Sequence, residues 1–332
     1  MGLRSYLVKR LIIALILFIV VLIFNFFIFR LPIFLLGMDP MSLYTTPQME
    51  PHVVENLRQL YGIPPKDATW EDWFDHFLKY MENMITLDFG RSFNSHRPVS
   101  QEIAERLPNT LILMGVSTIL SILIGIVAGI IAASRHGGKL DTAFITIGLS
   151  LYSFPVFWLG MMFLLFFAFY IPIFPLGKSI SWPVPTNPIL YLLDLGWHMA
   201  LPVVTLTLAF FGGYMLLMRN TLVEVLTEDY ILTAKAKGLQ ERTVLYKHGV
   251  RNAFLPLITV ITISFAYIVS GAVLTETVFV WYGMGRLLFT SLVSYDWPVS
   301  QAIFWLIALS VIAANIIADV LYGVLDPRIK YG

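Results

Sequence analysis

The chain has 332 residues, 58% hydrophobic and 13% charged, with a net charge of +1 and no cysteine. A soluble domain carries about 45–50% apolar and about 25% charged residues, so this much apolar surface cannot be hidden inside a water-soluble core. The balance excludes an ordinary soluble enzyme, a disordered chain and a nucleic-acid binder, and the lack of cysteine excludes disulfides and thiolate chemistry.

A helix crossing the roughly 30 Å hydrocarbon core needs about 20 mostly apolar residues. The first such run is Leu11–Phe29, with Asn25 its only polar residue and Lys9, Arg10 and Arg30 at its ends. Leu31-Pro32-Ile33-Phe34 follows where a signal peptide would place small residues, so the run reads as an uncleaved anchor. In the segment from Arg30 to Asn109, Trp70, Trp73, Phe74, Phe77, Met81 and Met84 recur at helical spacing, with Thr69 as N-cap and Asp72 three positions on. This predicts a helix packed on the mouth of its own bundle; the alternative is a landing surface for an external partner or lipid headgroups.

The second run, Thr110–Ala133, carries Gly125 and Gly129 at the spacing that permits close helix contact. The third, Asp141–Ile171, would be about 46 Å long if straight, and Pro155 predicts a kink near Ser153–Pro155. Leu201–Met218, Ala253–Leu274 and the stretch between Asp296 and Asp319 follow, so the expectation is an all-α integral membrane protein with six transmembrane helices. The organisation expected is an N-terminal tail and first helix over 1–30, an extracytoplasmic segment over 31–109, and a core over 110–332 with five helices.

Lysine and arginine set the orientation. With both termini cytoplasmic, the inner segments hold Arg4, Lys9, Arg10, Arg135, Lys139, Arg219, Lys235, Lys237, Arg242, Lys247, Arg251, Arg328 and Lys330, whereas the short outer loops hold only Lys178 and Arg286. The long 30–109 segment has more acidic than basic residues and counts little in this rule. The predicted location is the cell membrane, as a multi-pass protein in contact with the lipid bilayer.

The longest inner loop is 219–252. Leu222, Val223, Leu226 and Tyr230 recur at helical spacing, and Lys237 before Gly238 fits a helix C-terminus with glycine as a left-handed cap. Glu241–His248 reads as a second short helix, and Pro256 opens the next span. Such a hairpin is a docking device as much as a connection; its lysines alone would also serve topology and anionic lipid.

Chemistry is sparse. Gly137-Gly138-Lys139-Leu140 lacks the first glycine and the hydroxyl of a phosphate-binding loop, and Gly283-Met284-Gly285 lacks the third glycine of a dinucleotide fingerprint. The six histidines (52, 76, 96, 136, 198 and 248) never share metal-ligand spacing on one helix. No catalytic residue, cofactor or metal site is expected. Asp319 with Asn315, Glu276 and His198 are the deepest ionisable candidates for an ion-coupled carrier, but each lies near an interface, where snorkelling or capping is commoner.

The string Asp229-Tyr230-Ile231-Leu232-Thr233-Ala234-Lys235-Ala236-Lys237-Gly238-Leu239, followed by Arg251-Asn252-Ala253-Phe254-Leu255-Pro256, resembles the cytoplasmic signature loop of permease subunits of binding-protein-dependent ABC importers, with its closest likeness in the dipeptide/oligopeptide branch. Leu232-Thr233-Ala234 stands where the broad signature has Glu-Ala-Ala, and the Gly238-to-Pro256 spacing is longer; both departures are similar to the peptide branch. Gly37-Met38-Asp39-Pro40, Gly90-Arg91-Ser92-Phe93, Arg97-Pro98-Val99, Arg106-Leu107-Pro108-Asn109-Thr110, Phe157-Trp158-Leu159-Gly160, Glu276-Thr277-Val278-Phe279 and Asp326-Pro327-Arg328 extend the likeness along the chain, while the tryptophan-rich outer insert is longer than expected.

The resemblance implies the type I ABC importer permease fold. The partners it implies are a sister permease, two cytoplasmic ATP-binding subunits that supply the hydrolysis, and an extracytoplasmic solute-binding protein. Asp229, Tyr230, Thr233, Ala234, Lys235, Ala236, Lys237, Gly238 and Leu239 would form the ATPase-coupling element, moving with an alternating-access cycle. Peptides are the implied cargo, with oligosaccharides or nickel as alternatives within the family. A gradient-driven secondary carrier is the competing class, and it would show inverted repeats or broken, charged midplane helices.

Overall fold

The computed structural model describes residues 3–36, 42, 44–46, 48–61, 63 and 68–325, with the side chains of 3–7, 31–36, 60, 266, 318, 319 and 321–325 outside that description. The Gly37–Pro40 and Asp326–Arg328 strings and the Asp319 side chain therefore lie outside the described residues. The helices are α1 (Leu3–Leu36), α2 (Pro51–Leu60), α3 (Trp70–Thr86), α4 (Val99–Ser134), α5 (Lys139–Ser153), α6 (Val156–Leu164), α7 (Pro188–Leu226), α8 (Asp229–Ala236), α9 (Glu241–Thr243), α10 (Arg251–Tyr267), α11 (Val273–Val278), α12 (Met284–Val293) and α13 (Trp297–Leu325). Among the described residues there is no β-strand.

Among the described residues four helices are long and apolar enough to cross a membrane: Val8–Arg30 within α1, α4, α7, and Trp297–Ile317 within α13. A fifth crossing is formed if α5 and the α6 segment, which continues through a π-helical turn to Tyr170, count as one. The run expected over Ala253–Leu274 is helical over the 17-residue α10, which stops at Tyr267, so among the described residues length and composition alone count four or five crossings. At Pro155 the chain does more than kink: the two halves meet at 93°. Proline has no amide to donate and forces the preceding residue out of helical geometry, and Phe154 is accordingly extended at φ −75°, ψ 138°. α4 and α7 outrun their apolar cores because their flanks are helix-competent. Glu102 pairs with Arg106 one turn on, and Asn187 Oδ1 accepts from Ile189 N at 2.8 Å with Pro188 behind it.

The described structure divides into two compact units, Met1–Pro108 with Gly283–Gly332, and Asn109–Tyr282. In the first, Asn25 Nδ2 on α1 donates to Gln301 O on α13 at 3.0 Å, and Phe18 meets Trp305 edge-on at 5.8 Å. α3 begins with the expected capping box: Thr69 Oγ1 accepts from Asp72 N at 3.3 Å while Asp72 Oδ2 accepts from Thr69 N at 2.7 Å, which holds the Asp72 carboxyl below the usual carboxylate range. One face of α3 packs on α1, with Phe77 and Tyr80 at 5.1 and 5.3 Å from Phe26. The Gly90–Val99 strings form a turn held by one buried carboxylate: Asp296 accepts from Phe93 N at 3.0 Å, Asn94 N at 3.3 Å and the Ser92 hydroxyl, while its carbonyl starts α13 by accepting from Ser300 N at 3.1 Å. Burial pushes the Asp296 carboxyl up, and these hydrogen bonds pull it back.

In the second unit α7 is the common partner of its neighbours. Cβ atoms built at Gly125 and Gly129 of α4 would stand 2.7 Å from Phe211 O and Met215 O, so the glycine pair serves contact within this chain. Gly148 of α5 and Gly212 of α7 meet backbone to backbone in the same way. Thr110 Oγ1 donates to the fully buried Glu276 at 2.9 Å, and Trp281 Nε1 to Asn109 O at 3.2 Å, so two strings distant in sequence are brought together. His198 donates from Nδ1 to Asp194 O at 2.9 Å within its own helix. Glu276 and His198 thus have local structural partners.

Replacing Gly129 by Leu should lower stability by about 1–3 kcal/mol, because a branched side chain cannot enter the α4–α7 contact. Gly115→Ala on the same helix meets open space and should not do so. Thermal unfolding in detergent reads the difference; equal midpoints for both variants would contradict the packing.

Candidate functional site

The loop singled out by sequence folds as a short helix and a turn laid against the end of α7. α7 stops at Thr227, Glu228 caps the next helix in extended geometry, and α8 runs for two turns from Asp229. Asp229 in its first turn and Lys235 in its last both complement the helix dipole. Its last turn closes by the left-handed route: Gly238 has φ +74°, its amide donates to Lys235 O at 2.9 Å, and Leu239 N donates to Ala234 O at 3.4 Å.

The anchor of α8 is apolar. Ile231 and Ala234 are buried in one cluster with Val244, with Leu226 of α7 packed on it. Below it, Gly249 lets the returning chain close on α7, because a Cβ there would meet Leu222 Cδ1 at 3.0 Å and Leu226 Cδ2 at 3.2 Å. The second arm is not a separate short helix over Glu241–His248. α9 passes through a π-helical stretch, Val244–Val250, directly into α10, so Pro256 lies inside a longer helix rather than at its start. Val244 and Gly249 are the buried residues of this π-helical stretch, Val244 against α8 and Gly249 against α7.

Of the expected coupling residues, Asp229, Tyr230, Thr233, Lys235, Ala236, Lys237, Gly238 and Leu239 are all exposed, whereas Ala234 faces its own chain. Leu232, 59% exposed, stands on the outer side between Tyr230 and Lys235 and was not singled out by the sequence reading. No side chain here is arranged for bond chemistry. The surface offers a firm knob with two cations, a tyrosine ring and two leucines, which suits docking on a protein groove.

The same end of the unit holds a second device that sequence reasoning missed. Arg219 of α7 grips Asp141 of α5 with both ends of its guanidinium, Nη2 to Oδ2 at 2.7 Å and Nε to Oδ1 at 3.0 Å. Asp141 also accepts from Gly137 N at 2.9 Å, and His136 Nδ1 lies 3.2 Å away. One carboxylate therefore ties the α4–α5 turn to the root of the α7–α8 hairpin. The signal was present: an acid opening one apolar run and a base closing another on the same predicted side.

The profile of the family described as “Binding-protein-dependent transport system inner membrane component” matches residues 125–331, and that of “Binding-prot-dependent transport system membrane comp, N-term” matches residues 3–114. The chain is 37% identical over 299 residues to the oligopeptide transport system permease protein AppB of Bacillus subtilis (strain 168), covering 88% of this chain and 90% of that protein. It is 36% identical over 329 residues to the glutathione transport system permease protein GsiC of Escherichia coli (strain K12), covering 98% and 99%.

Removing Arg219 should cost about 1–3 kcal/mol, since the buried Asp141 carboxylate keeps only Gly137 N and His136 as partners. Arg219→Gln should therefore speed proteolysis at Arg135–Lys139 in detergent-solubilised protein. Unchanged cleavage would mean the pair does not hold that turn.

Proposed function

The chain belongs to the binding-protein-dependent transport system inner membrane components, and from that premise we propose that it moves peptides across a membrane by coupling its helices to ATP-binding subunits through α8. It is the permease subunit of an ABC importer, multi-pass, without an ATP-binding site of its own. Its system includes a binding protein, ATPases and another permease. Our reading sets the stoichiometry at one sister permease and two ATP-binding subunits, with residues 110–332 as the core permease domain and the path between the two permeases.

The observation that carries the coupling role is the exposed α8–Gly238 turn on a buried apolar footing. A mobile loop would dissipate a push; a helix seated on Ile231, Ala234 and Val244 transmits it. Closure of an ATPase pair would move two such knobs together and shift the permeases between inward and outward access. A peptide cargo is supported by relatives named for oligopeptide and glutathione transport. Both termini and α8 are assigned to the cytoplasm, and residues 31–109 to the outside, by the distribution of lysine and arginine.

The chain has no native thiol, so single cysteines report cleanly on sidedness. Asn94→Cys should react with an impermeant maleimide in intact cells and Gln240→Cys only after permeabilisation; the reverse pattern would invert the topology.

Coupling is tested on the outer face of α8. Ala234→Asp is a poor probe because it would place a charge in the chain's own core, and Gly238 meets no neighbour, so Gly238→Val is resisted only by its positive φ. Leu232→Asp should leave folding and permease pairing intact and weaken ATPase retention by roughly 30-fold, corresponding to about 2 kcal/mol. Reconstituted complexes of Leu232→Asp that assemble and transport like the unaltered protein would remove the coupling role.

A further inference from the structure

On a helical wheel α3 is half apolar, and only half of that arc is covered. Trp73, Phe77, Tyr80 and Met84 pack on Leu22 and Phe26 of α1 and on Trp305. Trp70, Phe74, Leu78 and Ile85 form the adjoining stripe, with Trp70 75% and Phe74 60% exposed. The depth of this stripe is fixed by its neighbours. Phe89, just past the end of α3, lies 5.3 Å from Trp305, which in turn contacts Phe18, so α3 descends beside the membrane-crossing part of α1. Its bare stripe shares a cleft with Phe27, which α1 leaves exposed.

Two cavities meet in this groove. A cleft of about 330 Å³ is walled almost wholly by aromatic rings, with Phe27, Trp70, Phe74 and Phe77 prominent. Beside it a polar cavity of about 260 Å³ is lined by His76, Lys79, Tyr80, Asn83, Arg91 and Gln301 among others. Phe26, Arg30 and Trp73 belong to both. Tyr80 and Gln301 are only 6% and 2% exposed, yet Tyr80 Oη and Gln301 Nε2 find no hydrogen-bond partner among the described residues. Buried donors left dry and unpaired are costly, so a ligand acceptor is the natural complement. Among the described residues of the wall, Arg30, Lys79 and Arg91 stand beside one carboxylate, Asp88, a balance that favours an anion.

We infer that the α1–α3 groove is a binding site for an anionic phospholipid, whose phosphodiester sits in the polar cavity at Arg30, Tyr80 and Gln301 and whose acyl chain fills the aromatic cleft. A wholly apolar occupant would leave the buried donors unmet, and a small soluble anion would leave the aromatic stripe bare. Only an amphiphile answers both halves. The lipid would brace α3 against α1 at a place where protein side chains alone leave a gap.

The test uses the full-length protein purified in detergent and titrated with palmitoyl-oleoyl phosphatidylglycerol, with bound lipid counted by native mass spectrometry. One molecule should be retained after delipidation of bulk lipid. Tyr80→Phe and Gln301→Glu, both close in shape to the native side chains, should each weaken binding about tenfold, and the pair Trp70→Ser with Phe74→Ser by at least as much. Binding of the lipid by Tyr80→Phe and Gln301→Glu as by the unaltered protein overturns the inference. So does displacement of the lipid by inorganic phosphate that is indifferent to Trp70→Ser with Phe74→Ser, which would assign the cavity to a free anion.

Discussion

Two helices in a bilayer gain nothing by hiding leucine from leucine, because the surrounding lipid tails are equally apolar; attraction must come from close approach and from matched polar groups. The unit Asn109–Tyr282 meets this constraint at four glycines. Gly125 and Gly129 admit the backbone of α7 to α4, and Gly148 and Gly212 let α5 and α7 touch main chain to main chain. Large side chains then fill the flanks, with Met215, Met218 and Leu222 fully buried along α7. α5, α6 and α10 then pack along the helix that has been fixed in this way.

That rigidity is what gives the exposed turn after α8 a mechanical meaning. The Arg219–Asp141 pair locks α5 and α7 at one end of the membrane segment, Gly249 closes the returning helix on Leu222 and Leu226, and Ile231 plugs α8 into the remaining space. Each contact is short in sequence or one helix away. Tyr230 and Leu232 therefore stand on a helix whose buried side packs against Val244 and against Leu226 of α7.

Much of this was legible in the residues. Apolar runs located the long helices, Thr69 and Asp72 announced the start of α3, and Lys237-Gly238 announced a left-handed cap because few other residues accept that backbone. Pro155 located a break but not its 93° angle, since a missing amide says where a helix fails and the surrounding packing decides how far it turns. Helix ends were read short for α4 and α7, because polar turns beyond the lipid are helical without being apolar. The facing of Ala234 depends on residues from another helix and leaves no trace in a string, and the Asp141–Arg219 pair shows in the sequence only as an acid and a base at the ends of two apolar runs.

α7 has 39 residues, so it is about 58 Å long, nearly twice the thickness of the hydrocarbon core it crosses. Its crossing point with α5 lies at Gly212, and the tip that carries α8 lies at Leu226, about 21 Å further along the axis. This is lever geometry with an off-centre fulcrum. A tilt of about 5° at the glycine contact sweeps the tip sideways by about 2 Å, roughly a third of the rise of one helical turn. Displacements of that size are large enough to exchange one set of side-chain contacts for another, yet they require almost no change where the helices touch.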